Sequence, residues 1–227
     1  MQGTAARMKT KDVFRMEMRH KVLSGSELFE FGGVPQQETV KDFWAWCRSR
    51  LIADGPRGDL AEFIVNTALG MDMTEPKHGW GECDIEYPYP ECIEPVRIEV
   101  KCSTYLQAWE RGALSVPTFS IAKTLGNEVI ETEDAYIYVG RCEGDTPQRR
   151  SDIYVFCLFA EKDRSVANPL ALDQWEFYVV PTKTIDKELG NQKRINMKGL
   201  EKLQPRCCKY DELKATIDEV AAQLKMN

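Results

Sequence analysis

Two neighbouring segments of the chain alternate between apolar and charged residues with a period of two. They are GECDIEY at 81–87 and VRIEVKC at 96–102, joined by a proline-rich link. This period predicts two strands, each with one apolar and one charged face, and the link suits an antiparallel return. A one-residue slip would turn every apolar side chain to the wrong face, so the pattern fixes the register.

The register that keeps all charges on one face sets Asp84 opposite Glu99, Glu86 opposite Arg97 and Glu82 opposite Lys101. Two opposed carboxylates repel by a few tenths of a kcal/mol to about 1 kcal/mol. A divalent cation would offset that repulsion, and oxygen ligands favour Mg²⁺ or Mn²⁺ over zinc. Lys101 would then lie within reach of a metal-bound water.

A simpler interpretation of the same face is a solvated charge ladder, in which Glu82 pairs with Lys101 and Glu86 pairs with Arg97. A zinc site built from Cys83, Cys92 and Cys102 is a further alternative, but the chain has no Cys-x-x-Cys pair. Cysteines at alternating positions of strands act mainly as small apolar side chains.

A helix is predicted before these strands, bracketed by Pro56 in its first turn and Gly70 just past its end. At 100° per residue Glu62 falls in line with Val65 and Leu69 and interrupts an apolar stripe. A carboxylate buried there is costly unless it is paired or binds a metal. The alternatives are a salt bridge from Glu62 to Arg57 or Lys101, or a place at the edge of the stripe.

The remaining periodicities predict alternating helices and strands. A helix starts at Thr39, and another follows the second strand, with Ser103 as its N-cap. The other predicted elements are a β-like piece at 28–31, strands at 134–142, 152–160 and 175–181, and a last helix at 211–225.

The composition is that of a globular α/β protein. The 227 residues are 43% hydrophobic and 29% charged, which excludes a disordered or disulfide-scaffold chain. No apolar run approaches a membrane span, and eight scattered cysteines without a secretion signal predict a cytoplasmic protein. We interpret residues 1–38 as a basic arm and 39–227 as the folded domain.

Charge is distributed unevenly along this acidic chain, whose net charge is −6. Residues 82–99 hold six acids against one arginine, whereas residues 7–21 hold six Lys and Arg against two acids. Residues 183–214 are also basic, with nine Lys and Arg against five acids. An acidic centre lies between two basic ends.

The residues around the acidic centre resemble the PD-(D/E)xK nuclease superfamily. The resemblance consists of Asp84, then Glu99-Val100-Lys101 at the end of a strand, with Glu62 on the preceding helix and Gln107 after the lysine. Cys83 stands where the family carries proline. This departure from the family pattern changes none of the ligand residues. The motif covers residues 56–112.

The resemblance implies a restriction-endonuclease-like α/β fold, with a mixed central sheet flanked by helices. It implies that Asp84, Glu99 and the Val100 carbonyl hold Mg²⁺, for which Mn²⁺ can substitute, with Glu62 as a direct or water-mediated outer ligand. Lys101 would orient or deprotonate the attacking water, and Gln107 would position the water or a phosphate oxygen.

The activity that the resemblance implies is hydrolysis of DNA phosphodiester bonds to a 5′-phosphate and a 3′-hydroxyl, of restriction or repair type. The basic ends would follow backbone phosphates. The main alternative is a catalytically inactive nucleic-acid-binding or assembly module on the same fold, and a third is an unrelated interaction protein. The partner that the resemblance implies is DNA rather than a membrane. A homodimer and a recruiting protein partner are both compatible with the sequence.

Overall fold

The computed structural model describes residues 14–18, 20–77, 81–109, 112–132, 135–140 and 146–225. No helix in these ranges is both long and apolar enough to cross a membrane. The strands are β1 (Phe14–Met18), β2 (Leu28–Phe31), β3 (Val34–Thr39), β4 (Ile85–Tyr87), β5 (Val96–Thr104), β6 (Thr118–Ser120), β7 (Asn127–Glu131), β8 (Ala135–Gly140), β9 (Ile153–Phe159), β10 (Trp175–Pro181), β11 (Arg194–Asn196) and β12 (Arg206–Cys208). The α-helices are α1 (Val40–Arg48), α2 (Asp54–Leu69), α3 (Thr182–Leu189), α4 (Met197–Lys202) and α5 (Leu213–Lys225).

A five-stranded mixed sheet forms the centre of the molecule, with strand order β12-β10-β9-β5-β4. β5 and β9 run parallel, and the other neighbours in the sheet are antiparallel. The α/β class with a mixed sheet is therefore confirmed.

The two faces of this sheet support separate apolar cores. One face packs against α2 and α5 and buries alternate residues of β5 and β9, such as Ile98 and Val155. The other face buries Tyr154, Phe156 and Leu158 of β9 together with residues of β6, α3, β11 and α4. β9 is buried at every position because it lies between both layers.

Local sequence signals set the ends of the first two helices. Thr39 caps α1, since its hydroxyl oxygen accepts the Asp42 N–H while the Asp42 carboxylate accepts the Thr39 N–H. α2 ends at Gly70, whose positive φ of 68° is accessible to glycine at little cost. The predicted end of α2 is confirmed, and its start lies two residues before Pro56.

The helix predicted after Ser103 is wrong. Residues 103 and 104 continue β5, which pairs with β9 as far as Thr104 opposite Phe159. No helix is present at 105–109 or 112–113, and residues 110–111 lie outside the described part of the chain. The Thr104 hydroxyl accepts the Leu106 N–H and the Ser103 hydroxyl accepts the Thr118 N–H, so tertiary hydrogen bonds turn the chain here.

The segment assigned to the basic arm contains regular structure where it is described. Residues 14–18 form β1, which pairs with β8 in a three-stranded sheet with β7. β2 lies where the β-like piece is predicted and forms a hairpin with β3. Residues 1–13 and 19 lie outside the described residues.

Candidate active site

The predicted register of the central hairpin is observed. Glu86 lies opposite Arg97, between the pairs Ile85 with Ile98 and Tyr87 with Val96. Asp84 lies just before β4, and its N–H donates to the Ile98 carbonyl over 3.1 Å. Its Oδ2 accepts the Val100 N–H at 2.7 Å, so the carboxylate is fixed beside the middle of β5.

Asp84, Glu99 and Lys101 form one charged cluster. Lys101 Nζ lies 2.5 Å from Glu99 Oε1 and 3.7 Å from Asp84 Oδ2. All three side chains are partly buried, with 21–27% of their surface exposed. The lysine therefore bridges the two carboxylates whose repulsion the sequence predicts.

The cluster shifts the proton affinities of its members. Burial raises the pKa of the Glu99 carboxyl, and the Asp84 carboxylate adds to the rise, while Lys101 opposes it. Burial lowers the pKa of the Lys101 ammonium, but the carboxylates of Asp84 and Glu99 outweigh burial and leave that pKa above its ordinary value. Lys101 is therefore a cation held by two acids in this arrangement.

Glu62 joins the cluster from α2, but its salt-bridge partner is neither of the two that the sequence suggests. Its Oε2 lies 2.6 Å from Lys77 Nζ, which also contacts Asp59 at 3.0 Å. Only 15% of the Glu62 side chain is exposed. Burial raises the pKa of the Glu62 carboxyl and the Asp84 carboxylate raises it further, so the two acids interact electrostatically.

Arg57, one of the partners expected for Glu62, instead holds the start of α2 through Asp54 and the Ile52 carbonyl. Glu82 does not face Lys101, because β4 begins only at Ile85. It lies near two arginines, 3.9 Å from Arg97 and 3.6 Å from Arg150. Arg97 is opposite Glu86 in the register, but its ion pairs are with Glu82 and Asp152, so the contacts are not those of the simple charge ladder.

Of the last two predicted site residues, Val100 lies at the charged cluster and Gln107 does not. Val100 lies in β5 between Glu99 and Lys101 with its side chain in the core, so its backbone belongs to the site. Gln107 lies in the loop after β5, where its carbonyl accepts a hydrogen bond from Arg164. No contact among the described residues joins Gln107 to the cluster, and it is not on a helix.

Residues before β9 support the site and are missed by the sequence reasoning. The Ser151 hydroxyl donates to Glu99 Oε2 over 3.0 Å, and the carboxylate of Asp152 binds Arg97. β9 runs parallel to β5, which brings the chain before Ile153 beside Glu99. Lys77 is missed too, since a lysine in a loop carries no local signal of its partner.

On the predicted role of Glu99 as a metal ligand, replacing Ser151 by alanine is expected to weaken Mn²⁺ binding. The hydroxyl lowers the pKa of the Glu99 carboxyl, and such outer-shell partners are worth about tenfold or more in metal affinity. Calorimetric titration with Mn²⁺ measures the change in dissociation constant. Ser165→Ala, which removes a hydroxyl bonded to the exposed Asp163, is the matched control. Equal affinities in the two variants would contradict the assigned role.

The described residues do not present a complete metal site. No group of three or more His, Cys, Asp or Glu side chains in the described ranges is arranged to hold a metal ion. The Asp84 and Glu99 carboxylates, both in contact with Lys101, are the two oxygen ligands that the cluster offers. Mg²⁺ is commonly bound by one or two carboxylates, completed by water and substrate phosphates, so this donor chemistry is compatible with Mg²⁺.

A cleft of about 1580 Å³ opens beside the cluster, and Glu62 and Asp84 belong to its wall. Its ionisable lining is predominantly acidic: Asp59, Glu62, Asp72, Glu75, Glu82, Asp84, Glu86 and Glu131, against Arg48 and Lys77. Such a lining repels polyanions in the absence of cations.

Positive charge lies on the other side of Glu99 and Lys101. These residues pair with Tyr154 and Phe156, so they point to the sheet face that β11 and α4 cover. Three cations are exposed there: Lys193 directly before β11, Arg194 in β11 and Lys198 in α4. The part of the basic 183–214 segment that forms α3, β11 and α4 thus lies on the sheet face of the charged residues of β5, whereas β12 is a strand of the sheet and α5 packs on the opposite face.

No protein-family model matches the chain, and searches of curated proteins and of solved structures likewise returned no match. The resemblance to PD-(D/E)xK nucleases therefore rests on the residues and the geometry described above.

Proposed function

We propose that the protein is a Mg²⁺-dependent nuclease that hydrolyses DNA phosphodiester bonds on a restriction-endonuclease-like fold. The observation that carries the proposal is the convergence of Asp84, Glu99 and Lys101 at the junction of β4 and β5, with 3.7 Å or less between the lysine and each carboxylate. The mixed sheet with helices on both faces supports it.

Each residue of the cluster has a distinct role in the proposal. Asp84 and Glu99, with the Val100 carbonyl, hold the metal, and Glu62 contributes an outer ligand. When bound, Mg²⁺ polarises the scissile phosphate and lowers the pKa of a bound water. Lys101 is an ammonium group in the present arrangement, so it donates hydrogen bonds and orients the attacking water.

The exposed basic residues at β11 and α4 suit phosphates better than the acidic cleft does. Lys193, Arg194 and Lys198 are exposed there, whereas the ionisable lining of the cleft is predominantly acidic. Cationic side chains gain free energy at phosphates by releasing counterions. Gln107 has no part in this proposal, because it contacts none of the cluster residues.

The proposal predicts metal-dependent DNA cleavage that requires Lys101. Supercoiled and linear DNA are incubated with the wild type and Lys101→Ala, each with Mg²⁺, Mn²⁺ or EDTA. We expect cutting by the wild type with either metal, none with EDTA, and a loss of at least about 100-fold in the variant. Lys162→Ala, which removes an exposed lysine outside the two basic segments, is the control and should cut normally.

Absence of DNA cleavage by the wild type would overturn the proposal that the protein cuts DNA without a partner protein. Mn²⁺ calorimetry then separates the alternatives that the sequence leaves open. Binding that Asp84→Asn abolishes indicates an enzyme that needs a recruiting partner, and absence of binding indicates an inactive module on the same fold.

A further inference from the structure

Residues 28–48 form a unit in which no side chain is buried. The unit comprises β2, β3 and α1, and it is exposed throughout apart from three half-buried positions. A two-stranded sheet alone is marginally stable in water, and so is a nine-residue helix. The unit therefore gains little stability from its own contacts, and a partner that covers it would stabilise it.

Large apolar side chains account for much of this exposed surface. Phe31 is 81% exposed and Val34 61%, and they lie opposite each other on the hairpin. On α1, Trp46 is 84% exposed and Phe43 47%, three residues apart and so on one side of the helix. Leu28 and Phe29 add to them at 46% and 48%.

The four aromatic residues of this set carry most of the exposed apolar area. Aromatic side chains bury about 150–250 Å² each, so at their exposed fractions Phe29, Phe31, Phe43 and Trp46 offer roughly 500 Å². Standard interfaces bury about 800 Å² per partner. Scattered exposed apolar residues need no explanation, but seven of them within one 21-residue unit, the six above and Trp44, do.

The hairpin has one edge that is open to pairing. In the described part of the chain β2 pairs only with β3, which leaves its outer edge available. β2 has neither proline nor lysine, which often protect a strand edge, and its one charged residue is Glu30, whereas β3 contains Pro35. A second β2 can therefore add along this edge.

Charge favours a second copy of the chain over DNA. Residues 28–39 contain Glu30 and Glu38 and no lysine or arginine, so the hairpin offers nothing to phosphates. Lys41 and Arg48 nearly balance the acids of the whole unit. Two identical surfaces of this kind meet with little repulsion, as a two-fold interface requires.

We propose that residues 28–48 form a homodimer interface in which β2 of one copy pairs antiparallel with β2 of a second copy. The two hairpins then make one four-stranded sheet, and Phe31 and Trp46 lie within the interface. The proposal does not depend on nuclease activity, and its test uses neither DNA nor metal.

Sedimentation equilibrium of the full chain, from about 1 to about 100 µM, tests the proposal. We expect a mass of twice 26.0 kDa for the wild type and a dissociation constant at least about tenfold higher for Phe31→Glu. Leu170→Glu changes an apolar residue that is 66% exposed outside the unit, and it should dimerise like the wild type. Circular dichroism checks that both variants fold.

A wild-type monomer throughout this range would overturn the proposal. So would a dimer that Phe31→Glu leaves intact, since its interface would lie elsewhere, or one that Leu170→Glu disrupts equally.

Discussion

Asp84→Asn is expected to lower metal-dependent DNA cleavage by about 10³-fold while leaving the fold intact. The Asp84 Oδ2 accepts the Val100 N–H at 2.7 Å, and the asparagine side-chain carbonyl can accept the same hydrogen bond. The substitution therefore removes the charge and keeps the contact. A loss of about 4 kcal/mol of charge stabilisation at a metal site corresponds to this factor.

Single-turnover cleavage and Mn²⁺ calorimetry measure the two effects separately. Glu86→Gln is the matched control: Glu86 lies two residues away, is exposed and pairs with Arg97 in the register. We expect it to keep both cleavage and metal binding. Cleavage by Asp84→Asn at the wild-type rate, with its thermal midpoint unchanged, would remove Asp84 from the site.

The part of the site that the sequence predicts is the part that a single hairpin determines. Alternation over 83–87 and 96–102 fixes the register, and the register alone brings Asp84 beside Glu99. Glu62 is predictable for a similar reason, because helical phase sets it among Val65 and Leu69 on α2. Each of these inferences depends on residues near one another in the chain.

The residues that the sequence does not predict reach the site across long separations. Ser151 is 52 residues from Glu99, and it becomes a neighbour only because β9 pairs in parallel with β5. The helix expected after Ser103 fails for the same reason, since pairing of Thr104 with Phe159 outweighs local helical periodicity. Lys77 contacts Glu62 because of the course of the loop after α2, and sequence periodicity does not predict the course of a loop.

Arg149→Met is expected to lower the free energy of unfolding by about 3–5 kcal/mol, the cost of breaking a buried charged network. The Arg149 side chain is fully buried and donates to Asp186 at 2.5 Å. It also donates to three carbonyls, those of Ile121, Gly190 and Gln192, at 2.8–3.0 Å. Methionine fills similar space but donates nothing.

Most of this loss in the free energy of unfolding comes from the three carbonyls, which are left without their donor. Asp186 contributes less, because its side chain is 41% exposed and can hydrogen-bond to water instead. At about 2–4 °C per kcal/mol for a chain of this size, the thermal midpoint should fall by roughly 10 °C.

Arg206→Met is the control variant. The ion pair of Arg206 with Glu219 has a separation of 3.7 Å and is about half exposed, so it should contribute less than about 1 kcal/mol. Equal losses in the two variants would show that Arg149 does not hold β6 and α3 together. A large loss in Arg149→Met alone would mean that this buried guanidinium joins the chain after β6 to α3 and to the turn that follows α3.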